Sequence, residues 1–261
     1  MRSLLILPLT LLLSGAAFAG AVIEPLTFGH IDWTRGRLIV EASGLSNTGA
    51  WRDVRASEQN AFAQLEPRVE DHARQVRVSA DSTAGDLLDG AEPMASSLRD
   101  GLTTWQVGET RYYSSGKVSL RAELAFHSWL RPALVEQASG GSAEDRAEGR
   151  YTGVVVDARR MRVRLALAPR LLAPEGEEVY GLASMSEESA ATTLPVVWVT
   201  EPGDKEAIQR AGKEPLFVQA TDVKGGSDLV VGRDDVAKLR ALASGSDLLL
   251  RGRVVIVVDP L

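Results

Sequence analysis

The chain has 261 residues, no cysteine and a formal charge of −6, with 29 basic against 35 acidic residues. The missing thiols exclude disulfides, thiolate metal sites and an acylated lipobox, and the acidic balance argues against electrostatic binding of nucleic acid. At this length, two domains are the starting expectation.

Arg2, the apolar run Leu4 to Leu13 and Ala17-Phe18-Ala19 have the layout of a secretory leader cleaved after Ala19. The apolar core is too short to span a bilayer, which takes about 20 residues. No later stretch approaches that length. The expected location is therefore the bacterial periplasm, with no transmembrane segment in the mature chain and no lipid anchor.

Arg37 to Ala42 (RLIVEA) reads as a buried strand. From Val54 the apolar residues Phe62, Leu65, Val69, Ala73 and Val76 recur at helical spacing, and Pro67 is expected to kink or split that helix at Glu66. Gln75 to Ala80 has strand character. Asp81-Ser82-Thr83 can cap a second helix near Asp86 to Leu102, interrupted around Pro93. Thr103 to Tyr113, the turn Ser114 to Lys117, and Val118 to Phe126 form a hairpin whose second strand alternates Val118, Leu120, Ala122, Leu124 and Phe126 with Ser119, Arg121, Glu123 and His127. Ser139 to Gly149 holds no large apolar residue and reads as a linker. Its position sets a leader (1–19), an N-terminal domain (20–138), the linker (139–149) and a C-terminal domain (150–261).

The C-terminal domain opens with the unbroken run Gly153 to Val156, which suits a strand covered on both faces, and stops at Asp157. Val163, Leu165, Leu167 and Leu171 then alternate with Arg162, Arg164 and Arg170, as in a half-buried strand. Pro174 to Glu177 turns the chain into Val179-Tyr180. Strands are expected at Pro195 to Thr200, Pro215 to Ala220 and Ser227 to Val231, with Gly225-Gly226 as a hairpin turn. Short helices are expected from Asp204 to Ala211 and from Asp234 to Ala243, the latter with Val236, Leu239, Leu242 and Ala243 inward. Arg253 to Val258 (RVVIVV) matches Gly153 to Val156 in apolarity, so the two are expected to be neighbouring central strands. The fold class that follows is α+β: two small sandwich-like domains, the first strand-helix-strand-strand, the second a mixed sheet with short helices.

Few residues carry recognisable chemistry. His30, His72 and His127 share no ligand spacing, no G-x-S-x-G elbow is present, and the Gly225-Gly226 piece lacks phosphate-loop spacing. Glu187-Glu188 and Asp234-Asp235 read as a solvated loop and a helix start. Asp157 and Arg159 follow a buried strand, the place where α/β sheets bind ligands, although Asp157 can equally close a tight turn. Asp157, Arg159 and the Arg162, Arg164, Arg170 face form the candidate ligand or partner surface. Trp33, Trp51 and Trp129 adjoin polar stretches and are candidate interface anchors. No catalytic, cofactor or metal-binding residue is assigned.

The segments Thr152-Gly153-Val154-Val155-Val156-Asp157-Ala158-Arg159, Ala166-Leu167-Ala168-Pro169-Arg170, Val179-Tyr180-Gly181 and the ending RGRVVIVVD resemble the C-terminal region of exported bacterial proteins related to Lpp-twenty-type outer-membrane lipoproteins and to flagellar proteins P and T. The resemblance implies a non-enzymatic cell-envelope protein with a structural or assembly role and a flagellar association. The implied partners are further copies of itself, or envelope and flagellar proteins. A periplasmic small-ligand-binding module is the alternative, and a hydrolase a distant third.

Overall fold

A computed structural model describes residues 20–46, 53–141 and 150–261. The expected leader, Trp51 and most of the expected linker lie outside the described residues. In chain order the elements are β1 (Ile23–Leu26), β2 (Gly29–Asp32), β3 (Arg37–Gly44), α1 (Val54–Gln75), α2 (Ala84–Leu88), α3 (Met94–Leu102), β4 (Gln106–Tyr112), β5 (Val118–Ala125), α4 (Phe126–Trp129) and α5 (Arg131–Gln137). They continue as β6 (Val154–Asp157), β7 (Leu171–Leu172), β8 (Glu178–Tyr180), α6 (Glu187–Ala190), β9 (Val196–Val199), α7 (Lys205–Ala211), β10 (Leu216–Lys224), β11 (Asp228–Val231), α8 (Arg233–Gly245) and β12 (Val254–Val257). The protein is α+β with two sheets.

The first sheet is antiparallel, in the order β1-β2-β3-β5-β4. Leu38, Val40 and Ala42 of β3 and Val118, Leu120, Ala122 and Leu124 of β5 are buried, as period-2 alternation requires. Against them α1 lays Ala61, Leu65, Val69 and Ala73, a stripe at steps of four. The helix and sheet approach closely at Gly44, where a Cβ would stand 2.1 Å from the Ser57 carbonyl oxygen. Contrary to the expectation from Pro67, α1 is one continuous helix from Val54 to Gln75. Pro67 lies on the exposed face, and the stripe that anchors the helix runs past it on the other side.

Gln75 to Ala80 is not a strand. It makes only an isolated bridge, Arg77 with Thr83. Val76 and Val78 are buried, and the carbonyls of Arg77 and Val78 accept from the amides of Leu167 (3.0 Å) and Ala168 (2.8 Å). The apolar alternation is real, but its backbone partner is an irregular segment 90 residues further on. Thr83 caps α2 reciprocally with Asp86, and the expected second helix divides into α2 and α3 around Pro93.

The second sheet is mixed, in the order β8-β7-β11-β10-β6-β12-β9. β12 lies between β6 and β9, parallel to both, with Val254, Val255 and Ile256 opposite Val154, Val155 and Val156. The two apolar runs are neighbouring strands, as their composition predicts. Val155, Val197, Val199, Val255 and Val257 form a small core with Ala207 and Ala211 of α7. Val154, Val156, Val254 and Ile256 point the other way into a large core that also takes in Val236, Leu239 and Leu242 of α8. Two covered faces are why these strands are unbroken valine runs rather than alternations. Ala243 is exposed, not inward.

That large core also contains Leu38, Leu65, Trp129 and the rest of the first half's interior, so one apolar cluster runs through both halves. The Thr34 hydroxyl donates to the Trp198 carbonyl (2.6 Å) and accepts from the Val22 amide (2.8 Å), and Ala21 bridges Val199, which covers the outer edge of β9.

Candidate functional site

The stretch 162–170 departs from expectation. Its alternation holds through Arg164, but Leu165 to Pro169 are all buried and no strand forms before Leu171. The Arg164 amide donates to the Gly226 carbonyl, and the Leu167 and Ala168 amides donate to the carbonyls of Arg77 and Val78 in the first half. Arg162, Arg164 and Arg170 therefore do not form one strand face. Arg164 donates to the Gly225 carbonyl (2.8 Å). Arg170 donates through Nε and Nη2 to Asp228 at 2.8 and 2.5 Å, and the side chain of Asp228 is only 2% exposed. Arg162 is exposed. Arg164 holds the Gly225-Gly226 turn, Arg170 holds the start of β11, and Arg162 faces solvent.

Asp157 ends β6 at the carboxyl edge of the parallel strands. Its carboxylate accepts from the Arg159 amide (3.0 Å) and from that residue's guanidinium at 3.0 and 2.6 Å. These hydrogen bonds from Arg159 hold the Asp157 carboxyl below the usual carboxylate range. Arg160 follows in the left-handed region (φ 68°), its amide bound to Asp259 at 2.6 Å. Gln219 closes the edge by donating to the Asp157 carbonyl (2.9 Å). Asp157 and Arg159 satisfy each other, which is the geometry of a tight turn rather than of a group presented to a ligand.

The histidines are also apart. His127 is exposed on α4, not at a strand end. His72 is 7% exposed, and neither ring nitrogen has a hydrogen-bond partner among the described residues. Burial pushes its pKa down. Glu187 and Glu188 begin α6 behind the Ser186 cap instead of lying in a loop. Trp33 and Trp129 are core residues, 3% and 0% exposed, and cannot be interface anchors.

The exposed aromatics lie elsewhere. Phe62 of α1 is 51% exposed and its ring centroid is 5.4 Å from that of Trp105, just before β4. Both line a groove of about 570 Å³ with Leu102 and Val107, between α1, α3 and β4. Glu66 and Glu70 stand on its α1 wall and Arg99 on its α3 wall. β4 is the last strand of its sheet, and Tyr112 and Tyr113 at its far end are 59% and 44% exposed. Sequence reading assigns Phe62 to the inward stripe of α1. The visible signal was an offset: Phe62 stands one position beyond the Ala61, Leu65, Val69 row, which rotates it off the buried face.

Residues 153–260 match the family model of the second domain of Treponema pallidum Tp0624. That match begins at the glycine of the first valine run and takes in the whole second sheet. Its start at Gly153 coincides with a packing requirement: a Cβ there would lie 2.5 Å from the Ala211 Cα at the end of α7. The likeness covers the second sheet and does not extend to the α1 groove. No curated protein matches the chain.

Proposed function

We propose that the protein is a non-enzymatic component of the bacterial cell envelope, exported to the periplasm, with an assembly role. In this reading its relationship extends to the Lpp-twenty-type lipoproteins and flagellar proteins P and T that its C-terminal motifs resemble. The observation that carries the proposal is the groove of Phe62, Leu102, Trp105 and Val107 beside the terminal strand β4. Exposed Phe62 and Val107 over half-buried Trp105, beside the last strand of the sheet, make an apolar patch of the kind that marks association surfaces. The occupant is a second copy of this chain. Acidic Glu66 and Glu70 on one wall face Arg99 on the other, and a two-fold axis would set each wall against its opposite in the second copy, with Arg99 exchanging its exposed pair with Glu92, and Glu70 its pair with Arg74, for contacts across the interface. The bulge at Val107/Glu109 and the Glu109–Arg111 pair blunt strand addition, so the contact is led by side chains.

The leader-like N-terminus and the absence of cysteine support the location. Cell fractionation with crosslinking in intact cells tests it. The protein is expected in the osmotic-shock fluid, crosslinked to itself or to envelope proteins. Recovery in the cytosol, with no crosslinked species, contradicts it.

A further inference from the structure

A second cleft, of about 610 Å³, opens between the halves and is basic in an otherwise acidic protein. Five arginines line it, Arg35, Arg37, Arg210, Arg251 and Arg253, against the single carboxylate of Glu206. They arrive from three directions: the start of β3 and the turn before it, the last turn of α7, and the approach to β12. Arg35 is neutralised by Asp32 and Glu206 at 3.1 Å each, Arg37 by Glu123 at 3.0 Å, and Arg251 by Asp247.

Arg210 and Arg253 differ. Arg210 donates to the Gly252 carbonyl (3.0 Å) and Arg253 to the Arg210 carbonyl (3.2 Å), and neither has a carboxylate within ion-pair reach among the described residues. Both are half-buried. Burial, reinforced by the charge of Arg253, pushes the Arg210 guanidinium below its ordinary value. Tyr180 is close but supplies no counter-charge: burial raises its phenol well above the usual range, and its hydroxyl donates to the Pro195 carbonyl (2.7 Å). Half-buried like charges without a counter-ion are costly to the fold, and a bound anion removes that cost.

We infer that this cleft is a binding site for a phosphoryl group carried by a small molecule or a headgroup. Guanidinium forks match phosphate oxygens bidentately, and Arg210 and Arg253, joined through the Arg253 contact to the Arg210 carbonyl, offer two such forks side by side, each with N–H groups beyond the one it gives to a carbonyl. The volume is within the range of small-ligand sites. This goes beyond the assembly reading and does not depend on it, since the cleft and the α1 groove share no residue.

Titration calorimetry of the purified protein with inorganic phosphate and pyrophosphate, alongside flotation on phosphatidylglycerol and phosphatidylcholine vesicles, tests it. Pyrophosphate is expected to bind, and Arg210→Gln and Arg253→Gln each to weaken it about 10-fold or more. Arg210→Lys and Arg253→Lys, which keep the charge but lose the fork, should bind between these limits; they carry the test if the glutamine variants fail to fold. Arg162→Gln should leave binding unchanged. Flotation on phosphatidylglycerol alone, abolished by the same substitutions, places the phosphoryl group on a lipid headgroup. No binding in either arm, or binding indifferent to both arginines, overturns the inference.

Discussion

Single residues decide several features of this protein. His72 sits on the buried side of α1 beside the Phe28 ring, with no hydrogen-bond partner for either nitrogen among the described residues. Burial lowers its pKa, and burial together with Arg121 lowers that of His30. In both cases the unfolded chain takes up protons more readily than the folded one. Stability is therefore fully present above the ordinary histidine pKa of about 6.5 and is lost as the pH falls through and below it. Melting temperatures measured from pH 7.5 to 5 should decline, and His72→Leu should flatten the decline and raise stability at pH 7 by roughly 1 kcal/mol. An unchanged slope in that variant would count against this account of His72. Gly153 is the second case. With the Ala211 backbone 2.5 Å from where a Cβ would stand, Gly153→Ala must push α7 away from the sheet, at a cost of about 1–3 kcal/mol in urea denaturation. A neutral result would show that α7 moves freely.

At the scale of elements, legibility followed the period of the apolar pattern. β5 was readable because only one of its faces is buried, and β6 and β12 because both are. Their adjacency follows from matched composition, since doubly covered strands belong in the middle of a sheet. Removing the last ten residues deletes β12 from between β6 and β9, and the truncated protein is expected to be insoluble; a folded, soluble product would contradict the pairing. Pro67 misled because a proline's local cost was weighed without the tertiary stripe that holds α1 straight. The 162–170 stretch misled because alternation over Met161 to Arg164 continues into residues buried between the halves, where no strand can follow. The α1 groove and the paired arginines of the cleft were not legible at all. Phe62 and Trp105 are 43 residues apart, and so are Arg210 and Arg253, and only the fold brings each pair together.

Over the whole molecule, the two sheets share one core, stitched by Thr34 to Trp198 and by Leu167 and Ala168 to the segment after α1. Such a core predicts cooperative unfolding of both halves rather than two separate transitions. It also holds the α1 groove on a rigid base, leaving exposed Phe62, packed on half-buried Trp105, as the place where a second molecule would dock. Light scattering coupled to size-exclusion chromatography over a range of protein concentrations measures this most directly. The wild-type protein should show a mass that rises with concentration toward a dimer or larger assembly, whereas Trp105→Ser and Phe62→Ser should remain monomeric with unchanged circular dichroism. A wild-type protein that stays strictly monomeric at every concentration, or an assembly that both substitutions leave intact, would contradict it.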